Sequence, residues 1–144
     1  MTIDKVIIID DDRFDRMLVQ RAIRKAGSTA EIFEFAWADP AMEFLSGIDD
    51  LSGYIMFIDI NMPRVDGFQF IDRLHAMLAD RLTAMKIAIV STSMHPRDRL
   101  RAGKDPRITY YFGKPVCVDE LARSVFGKPD VGCRSDETTM PDNG

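Results

Sequence analysis

Acidic residues that directly follow apolar runs are the side chains of this sequence best suited to do chemistry. The run "VIIIDDD" (6–12) joins four consecutive β-branched residues to three acids, and "YIMFID" (54–59) also ends on an aspartate, Asp59. Two carboxylates about 4 Å apart repel each other by roughly 4 kcal/mol at an effective dielectric near 20. Acids brought together in this way need a cation, or one of them must take up a proton.

The residue types in this acidic set favour magnesium. Asp10 and Asp11 follow the first run directly. If the two runs are neighbouring parallel strands, these carboxylates converge with Asp59 beyond the carboxyl ends of the strands. Oxygen ligands without His or Cys select a hard ion, and Mg²⁺ is commonly held by one or two carboxylates with water and phosphate. A Mg²⁺ ion beside a carboxylate points to phosphoryl chemistry.

Two other apolar runs end on groups that complement such a site. The run "KIAIVS" (86–91) presents the hydroxyl groups of Ser91 and Thr92, and "YYFGKP" presents the ammonium of Lys114. A hydroxyl and an ammonium could bind two oxygens of a phosphoryl group, with Mg²⁺ on the third. Each residue alone also fits a simpler role, as a helix cap, a turn residue or a solvated lysine. The combination of four strand ends is what favours a phosphoryl site.

The elements that must position these residues alternate along the chain. Five short β-branched or aromatic runs predict strands, at 5–10, 31–36, 54–59, 86–91 and 107–112. Each is followed by helical periodicity, at 14–22 with a stop at Gly27, from an Asp39 cap to about 45, and at 66–79, 95–103 and 119–126. Buried strands alternating with helices predict an α/β fold with a doubly wound parallel sheet. We assign one domain to residues 1–126 and a flexible tail to residues 127–144.

The bulk composition excludes several classes of function. The net charge of the 144 residues is -4, which argues against nonspecific nucleic-acid binding through a basic surface. No apolar run is long enough to cross a membrane, and no leader pattern is visible. Cys117 and Cys133 have no metal-binding spacing, so a cytoplasmic protein without disulfides is expected.

Four motifs in order along the chain resemble the receiver domain of two-component response regulators, over about residues 3–126. They are "IIIDDDRFDRM", "FIDINMPRVDGFQF", "AIVSTS" and "YYFGKP". The resemblance implies a flavodoxin-like (βα)5 fold with strand order 2-1-3-4-5. It implies that Asp59 accepts a phosphoryl group from a histidine kinase, a phosphotransfer protein or a small phosphodonor. It also implies a Mg²⁺ ion held by Asp10, Asp11, Asp59 and the backbone carbonyl of Asn61.

The same resemblance implies a conformational switch. Ser91, with Thr92 beside it, occupies the switch hydroxyl position, and Tyr111 occupies the aromatic switch position. Lys114 would pair with the new phosphoryl group, and its bond to Pro115 would be cis. The signal would be read at the surface of the fourth helix, fifth strand and fifth helix. The segment between strands four and five carries two prolines, lacks an Ala-Gly-Ala run and resembles that of a subgroup of stand-alone receivers. We expect no output domain, so the signal would pass to a separate target protein, a phosphorelay component or a second copy of the chain.

The first predicted helix has two interpretations. Arg13, Phe14, Arg16 and Met17 would form the surface that docks the kinase, or they belong to an ordinary amphipathic helix with its arginines in solvent. We expect no enzymatic turnover beyond phosphorylation and dephosphorylation of the chain itself.

Three other classes of protein fit the sequence less well than a receiver does. A phosphohydrolase of the haloacid dehalogenase type needs a second aspartate two residues after the nucleophile, where this chain has Asn61. A receiver-like module that is never phosphorylated would not need the complete set of acids, hydroxyl and lysine. A dinucleotide-binding domain would need a glycine-rich turn after the first strand.

Overall fold

The five predicted apolar runs form a single parallel sheet. The structure is a computed structural model that describes residues 2–92 and 95–127. The strands are β1 (Lys5–Ile9), β2 (Glu31–Phe35), β3 (Tyr54–Asp59), β4 (Lys86–Ser91) and β5 (Tyr110–Gly113). Their order in the sheet is β2-β1-β3-β4-β5, so the implied flavodoxin-like order is confirmed.

Five α-helices in the described residues follow the five strands and cover the sheet. They are α1 (Arg13–Lys25), α2 (Ala38–Ser46), α3 (Gly67–Leu78), α4 (Pro96–Lys104) and α5 (Val118–Ser124). A short 3-10 helix, Ala79–Ala84, extends α3. None of the helices in the described residues combines the length and the apolar character needed to span a bilayer.

Two helix starts are fixed by side chains next to the acidic strand ends. The carboxylate of Asp12 accepts hydrogen bonds from the backbone N–H groups of Phe14 at 2.8 Å and Asp15 at 3.4 Å, and so caps α1. Asp66 and Gln69 form a reciprocal capping box at the start of α3. These caps hold the chain reversals that follow β1 and β3.

The sheet separates two apolar layers. Alternate residues of β1 point to opposite faces, so Ile7 and Ile9 pack with α2 and α3, whereas Val6 and Ile8 pack with α1 and α5. All four of these side chains are almost completely buried. A strand buried on both faces is what the unbroken apolar run predicted.

The start of the fifth strand and the start of α2 were predicted wrongly. The fifth strand begins at Tyr110, because the N–H and guanidinium of Arg107 both bind the Asp105 carboxylate in a turn. Helix α2 begins at Ala38 with Trp37 at its cap position, so Asp39 lies in the first turn. The 3-10 helix after α3 was not predicted. Of the predicted tail at 127–144, only residue 127 lies within the described residues.

Candidate functional site

Three carboxylates converge at the carboxyl ends of β1 and β3. One ligand atom from each of Asp10, Asp11 and Asp59 lies within 4.8 Å of the other two. The pairing of Ile9 with Ile58 sets this convergence, because the acid that follows each residue then reaches the same edge. Asp10 and Asp59 are buried, with 3% and 7% of their surface exposed, and Asp11 is exposed.

Backbone and side-chain hydrogen bonds hold Asp10 in place. Its N–H donates to the carbonyl of Phe35 at 3.1 Å, and its Oδ1 accepts from the N–H of Asp12 at 2.9 Å. Its own carbonyl accepts from Nη1 of Arg16 at 2.6 Å, while Nε of Arg16 pairs with Glu34 at 3.1 Å. Arg16 is therefore a structural part of the site, and the alternative that the arginines of α1 lie in solvent is wrong for this residue.

Lys114 places its ammonium among the acids. Gly113 ends β5 in register with Ser91, and the N–H of Lys114 donates to the carbonyl of Ser91 at 3.0 Å. The Nζ atom lies 2.7 Å from Oδ2 of Asp10, 2.9 Å from Oδ2 of Asp15 and 3.4 Å from Oδ2 of Asp59. One ammonium thus contacts three carboxylates.

The pKa values of Asp59 and Lys114 are both raised, which favours the neutral form of the acid and the charged form of the lysine. Burial raises the pKa of the Asp59 carboxyl, and this outweighs the lowering by the Asn61 N–H, at 3.1 Å from Oδ1, and by Lys114. Burial alone would lower the pKa of Lys114, but the hydrogen bonds to Asp10 and Asp15 raise it above its usual value. Asp59 is thus a carboxylate whose charge is poorly stabilised, beside an ammonium that stays charged.

The two hydroxyl residues at the end of β4 differ in their exposure. Ser91 is buried, with 1% of its surface exposed, whereas Thr92 is exposed. Thr92 lines a groove with Lys114, Pro115 and residues of α1. The peptide bond between Lys114 and Pro115 is cis.

Tyr111 is half-buried in β5. Its ring faces α4, where the guanidinium carbon of Arg99 lies 5.1 Å from the ring centre. A second arginine of α4, Arg101, lies 4.1 Å from the centre of the Phe68 ring. Helix α4 therefore contacts both β5 and α3 through cations over aromatic faces.

The donors present fit a magnesium ion. The convergent ligands are all carboxylate oxygens, which Mg²⁺ prefers. The Lys114 ammonium is a single positive charge beside three carboxylates, and the nearby Arg16 guanidinium is paired with Glu34. Uncompensated negative charge therefore remains for a divalent cation. Asp10, Asp11 and Asp59 would hold it, and the described contacts of Asn61 involve its N–H.

Asp15 is the site residue that the sequence reasoning missed. It lies in the first turn of α1, three residues after the Asp12 cap, and its carboxylate binds Lys114. The signal available was its place in the acidic run "DDDRFD", which put it on the helix that leaves the site. Its lysine partner is 99 residues further along the chain.

With the fold and site described, the family follows from comparison with known proteins. The model of the response regulator receiver domain matches residues 6–126, and the chain belongs to this family. It is a receiver domain of the two-component type, as the four motifs indicated, and such domains are phosphorylated on an aspartate.

Curated relatives are regulators of similar kind and greater length. The chain is 24% identical over 123 residues to the probable methanogenesis regulatory protein FilR2 of Methanothrix harundinacea, covering 83% of this chain and 77% of that protein. It is 29% identical over 125 residues to the transcriptional regulatory protein PrrA of Mycobacterium tuberculosis, covering 87% and 49%. An uncharacterized response regulatory protein of Vibrio cholerae is 29% identical over 119 residues, with coverages of 83% and 46%. The chain spans about half the length of the last two.

Solved structures share the fold closely. A two-component response regulator from Cytophaga hutchinsonii superposes with a TM-score of 0.76 at 28% identity, covering 85% of this chain and 94% of that one. The chemotaxis protein CheY4 of Vibrio cholerae superposes with a TM-score of 0.68 at 21% identity, covering 86% and 97%. The second likeness concerns the fold alone.

Proposed function

We propose that Asp59 accepts a phosphoryl group from a phosphohistidine of a partner histidine kinase or phosphotransfer protein. The observation that carries this proposal is the position of Asp59. It is a buried carboxylate within reach of two further acids and 3.4 Å from a lysine ammonium. A carboxylate whose charge is poorly stabilised by its surroundings is suited to act as a nucleophile.

The reaction transfers one phosphoryl group between two side chains. An oxygen of Asp59 forms a bond to phosphorus, the P–N bond of the donor breaks, and the electron pair returns to the imidazole nitrogen, which is then protonated. A bound Mg²⁺ would neutralise charge between the carboxylates and the phosphoryl oxygens. Lys114 offers a fixed positive charge 3.4 Å from Oδ2 of Asp59. The proposal includes no turnover of a separate substrate beyond hydrolysis of the aspartyl phosphate.

Phosphorylation would then be read through Ser91, Lys114 and Tyr111. A phosphoryl group on Asp59 gives the Ser91 hydroxyl and the Lys114 ammonium a new acceptor. Both residues belong to or follow strands that also hold α4 and Tyr111, so a shift at the strand ends biases the surface of α4, β5 and α5. We propose this surface as the contact for a downstream protein, with a second copy of the chain as the alternative partner.

We further propose that the phosphodonor docks at α1. Phe14 and Met17 expose 60% and 40% of their surface on this helix, and Leu18 lines the groove that leads to Lys114. Exposed apolar side chains beside a polar site suit a protein donor. A cytoplasmic location is part of the proposal, on the basis of the acidic, cysteine-poor composition.

The test is covalent labelling with acetyl phosphate and Mg²⁺, read by intact mass. We expect one added phosphoryl group on the wild-type protein. The adduct should be absent when a chelator is present and absent in Asp59→Asn. An unlabelled wild-type protein, or an unchanged adduct in Asp59→Asn, would overturn the proposal.

A further inference from the structure

The Lys114 ammonium is held by an acid outside the metal-binding set. Its Nζ donates to Oδ2 of Asp15 at 2.9 Å and to Oδ2 of Asp10 at 2.7 Å. The convergent acids that could hold an ion are Asp10, Asp11 and Asp59, and Asp15 is not among them. The start of α1 does not depend on the Asp15 carboxylate, because Asp12 provides the cap.

This arrangement divides the partners of Lys114 into two kinds. The side chains of Asp10 and Asp59 are shared between the ammonium and any cation that the acids bind. A divalent ion bound by those oxygens would take up part of the negative charge that now neutralises the ammonium. It would also repel the ammonium. Among the described residues, Asp15 is the remaining acid in contact with Lys114, and it is not one of the acids that converge to hold an ion.

We propose that Asp15 is a positioning residue that retains the Lys114 ammonium at the carboxyl ends of the strands when Asp10 and Asp59 bind Mg²⁺. The inference rests on the proposed function, since it assigns a part in the same site. A carboxylate at this position offsets the repulsion between the two cations. It also keeps a charged donor in place for the phosphoryl oxygens.

The first measurement is calorimetric titration with MgCl₂ alone, in the absence of any phosphodonor. Asp15→Asn should weaken Mg²⁺ binding by about fivefold or more, because the ammonium then has no separate counter-charge. Asp12→Asn is the matched control. It removes the same charge three residues earlier in the same chain segment, and asparagine preserves the cap. We expect it to weaken binding by about twofold or less, as a general effect of one lost charge.

A double-mutant cycle with Lys114→Met separates the effect of the contact between Asp15 and Lys114 from the general effect of losing one negative charge. Lys114→Met alone should tighten Mg²⁺ binding, because it removes the competing cation. In that background, Asp15→Asn should have no larger effect than Asp12→Asn. Asp15→Glu, which keeps the carboxylate, should restore most of the affinity. Unfolding in urea shows which variants are folded, and Asp15→Ser replaces the asparagine variant if that one is not.

Each outcome decides the matter. Equal effects of Asp15→Asn and Asp12→Asn, or an undiminished effect of Asp15→Asn without the lysine, would overturn the role of Asp15 while leaving phosphorylation of Asp59 intact. A wild-type protein that does not bind Mg²⁺ would overturn both proposals. A large Asp15→Asn effect that requires Lys114 supports the inference.

Discussion

The guanidinium carbon of Arg99 lies 5.1 Å from the centre of the Tyr111 ring, so α4 is joined to β5 by a cation over an aromatic face. The resemblance to receiver domains implies that Tyr111, at the aromatic switch position, turns inward when Asp59 is phosphorylated. We expect the ring to leave this contact with Arg99 when it turns inward. The contact therefore stabilises the arrangement seen here against the proposed active one.

The first prediction concerns this contact. Arg99→Gln should increase the fraction of inward Tyr111 about two- to fivefold, because a cation–π pair at a partly exposed site contributes about 0.5–1 kcal/mol. The measurement is NMR of the tyrosine ring, with and without acetyl phosphate. Arg97→Gln is the control, since it removes the same charge from the same helix and Arg97 is not one of the arginines found over a ring in the described residues. An identical response in both variants would contradict the prediction.

The second prediction concerns the glycine that starts α3. A Cβ on Gly67 would lie 3.0 Å from the carbonyl oxygen of Asp59 and 3.1 Å from Cα of Ile60. Gly67→Ala should therefore push on the backbone of Asp59, the proposed phosphoacceptor, lower the free energy of unfolding by about 1–3 kcal/mol, and slow labelling of Asp59. Urea unfolding and the rate of adduct formation measure the two effects.

Gly103 provides the matched comparison for Gly67. It lies inside α4, and a Cβ there would have no atom within 4 Å. Gly103→Ala should raise the free energy of unfolding by about 0.5–1 kcal/mol, through the higher helix propensity of alanine. If both alanine variants change stability in the same direction, crowding at Asp59 is not the cause.

The third prediction concerns the charge of Asp59 and its pH dependence. Burial raises the pKa of this carboxyl above its unfolded value, so the folded protein binds more protons between the two values. Stability is therefore lost as the pH rises through that interval, and the loss is complete above the folded pKa. With chelator at neutral pH, Asp59→Asn should unfold at higher urea concentration than the wild-type protein. The difference should shrink as the pH falls toward the unfolded pKa of about 3.9.

Magnesium should stabilise the wild-type protein more than it stabilises Asp59→Asn. A ligand that binds only the folded state at ten times its Kd adds about 1.4 kcal/mol of stability. We expect that gain for the wild-type protein and a smaller one for Asp59→Asn. A gain of the same size in both proteins at one MgCl₂ concentration would show that Asp59 does not contribute to the ion site.

The fourth prediction concerns Arg16, which supports the acidic loop from α1. Arg16→Gln removes the bond to the Asp10 carbonyl and the pair with Glu34, and should cost about 1–3 kcal/mol of stability. Arg13→Gln, at an exposed position of the same helix, should change stability by about 0.5 kcal/mol or less. Glu34→Gln keeps the bond to Asp10 and should lie between them. Urea unfolding of the three variants tests the ranking, and a neutral Arg16→Gln would refute it.

The sheet could be predicted because its strands carry their signal locally. The run at 5–10 is apolar on both faces and ends abruptly in acids, which indicates both a buried strand and the place where it leaves the core. The order of the strands has no such local signal. It depends on which strands pair, and for this chain it came from the family resemblance rather than from periodicity.

Boundaries failed where tertiary or turn contacts outweigh propensity. The sequence "RITYYF" has strand composition throughout, but Arg107 is held in a turn by Asp105 and by Asp72 of α3. Asp39 has the chemistry of a cap, yet α2 starts one residue before it. The contact between Asp15 and Lys114 is equally invisible in the sequence, because it exists only after α1 and β5 have docked on the same edge.

The alternation of β1 side chains has a consequence for how such a protein can diversify. The layer that packs α2 and α3 also contains Ala102 of α4 and contacts Tyr111, whereas the opposite layer packs α1 against α5. The sheet lies between these two apolar layers and separates them. Substitutions that reshape the face of α1 can therefore be accommodated without repacking the layer beneath α4. If α1 docks the phosphodonor as proposed, its docking face can change without repacking α4, whereas α5 of the proposed output surface shares the layer of α1.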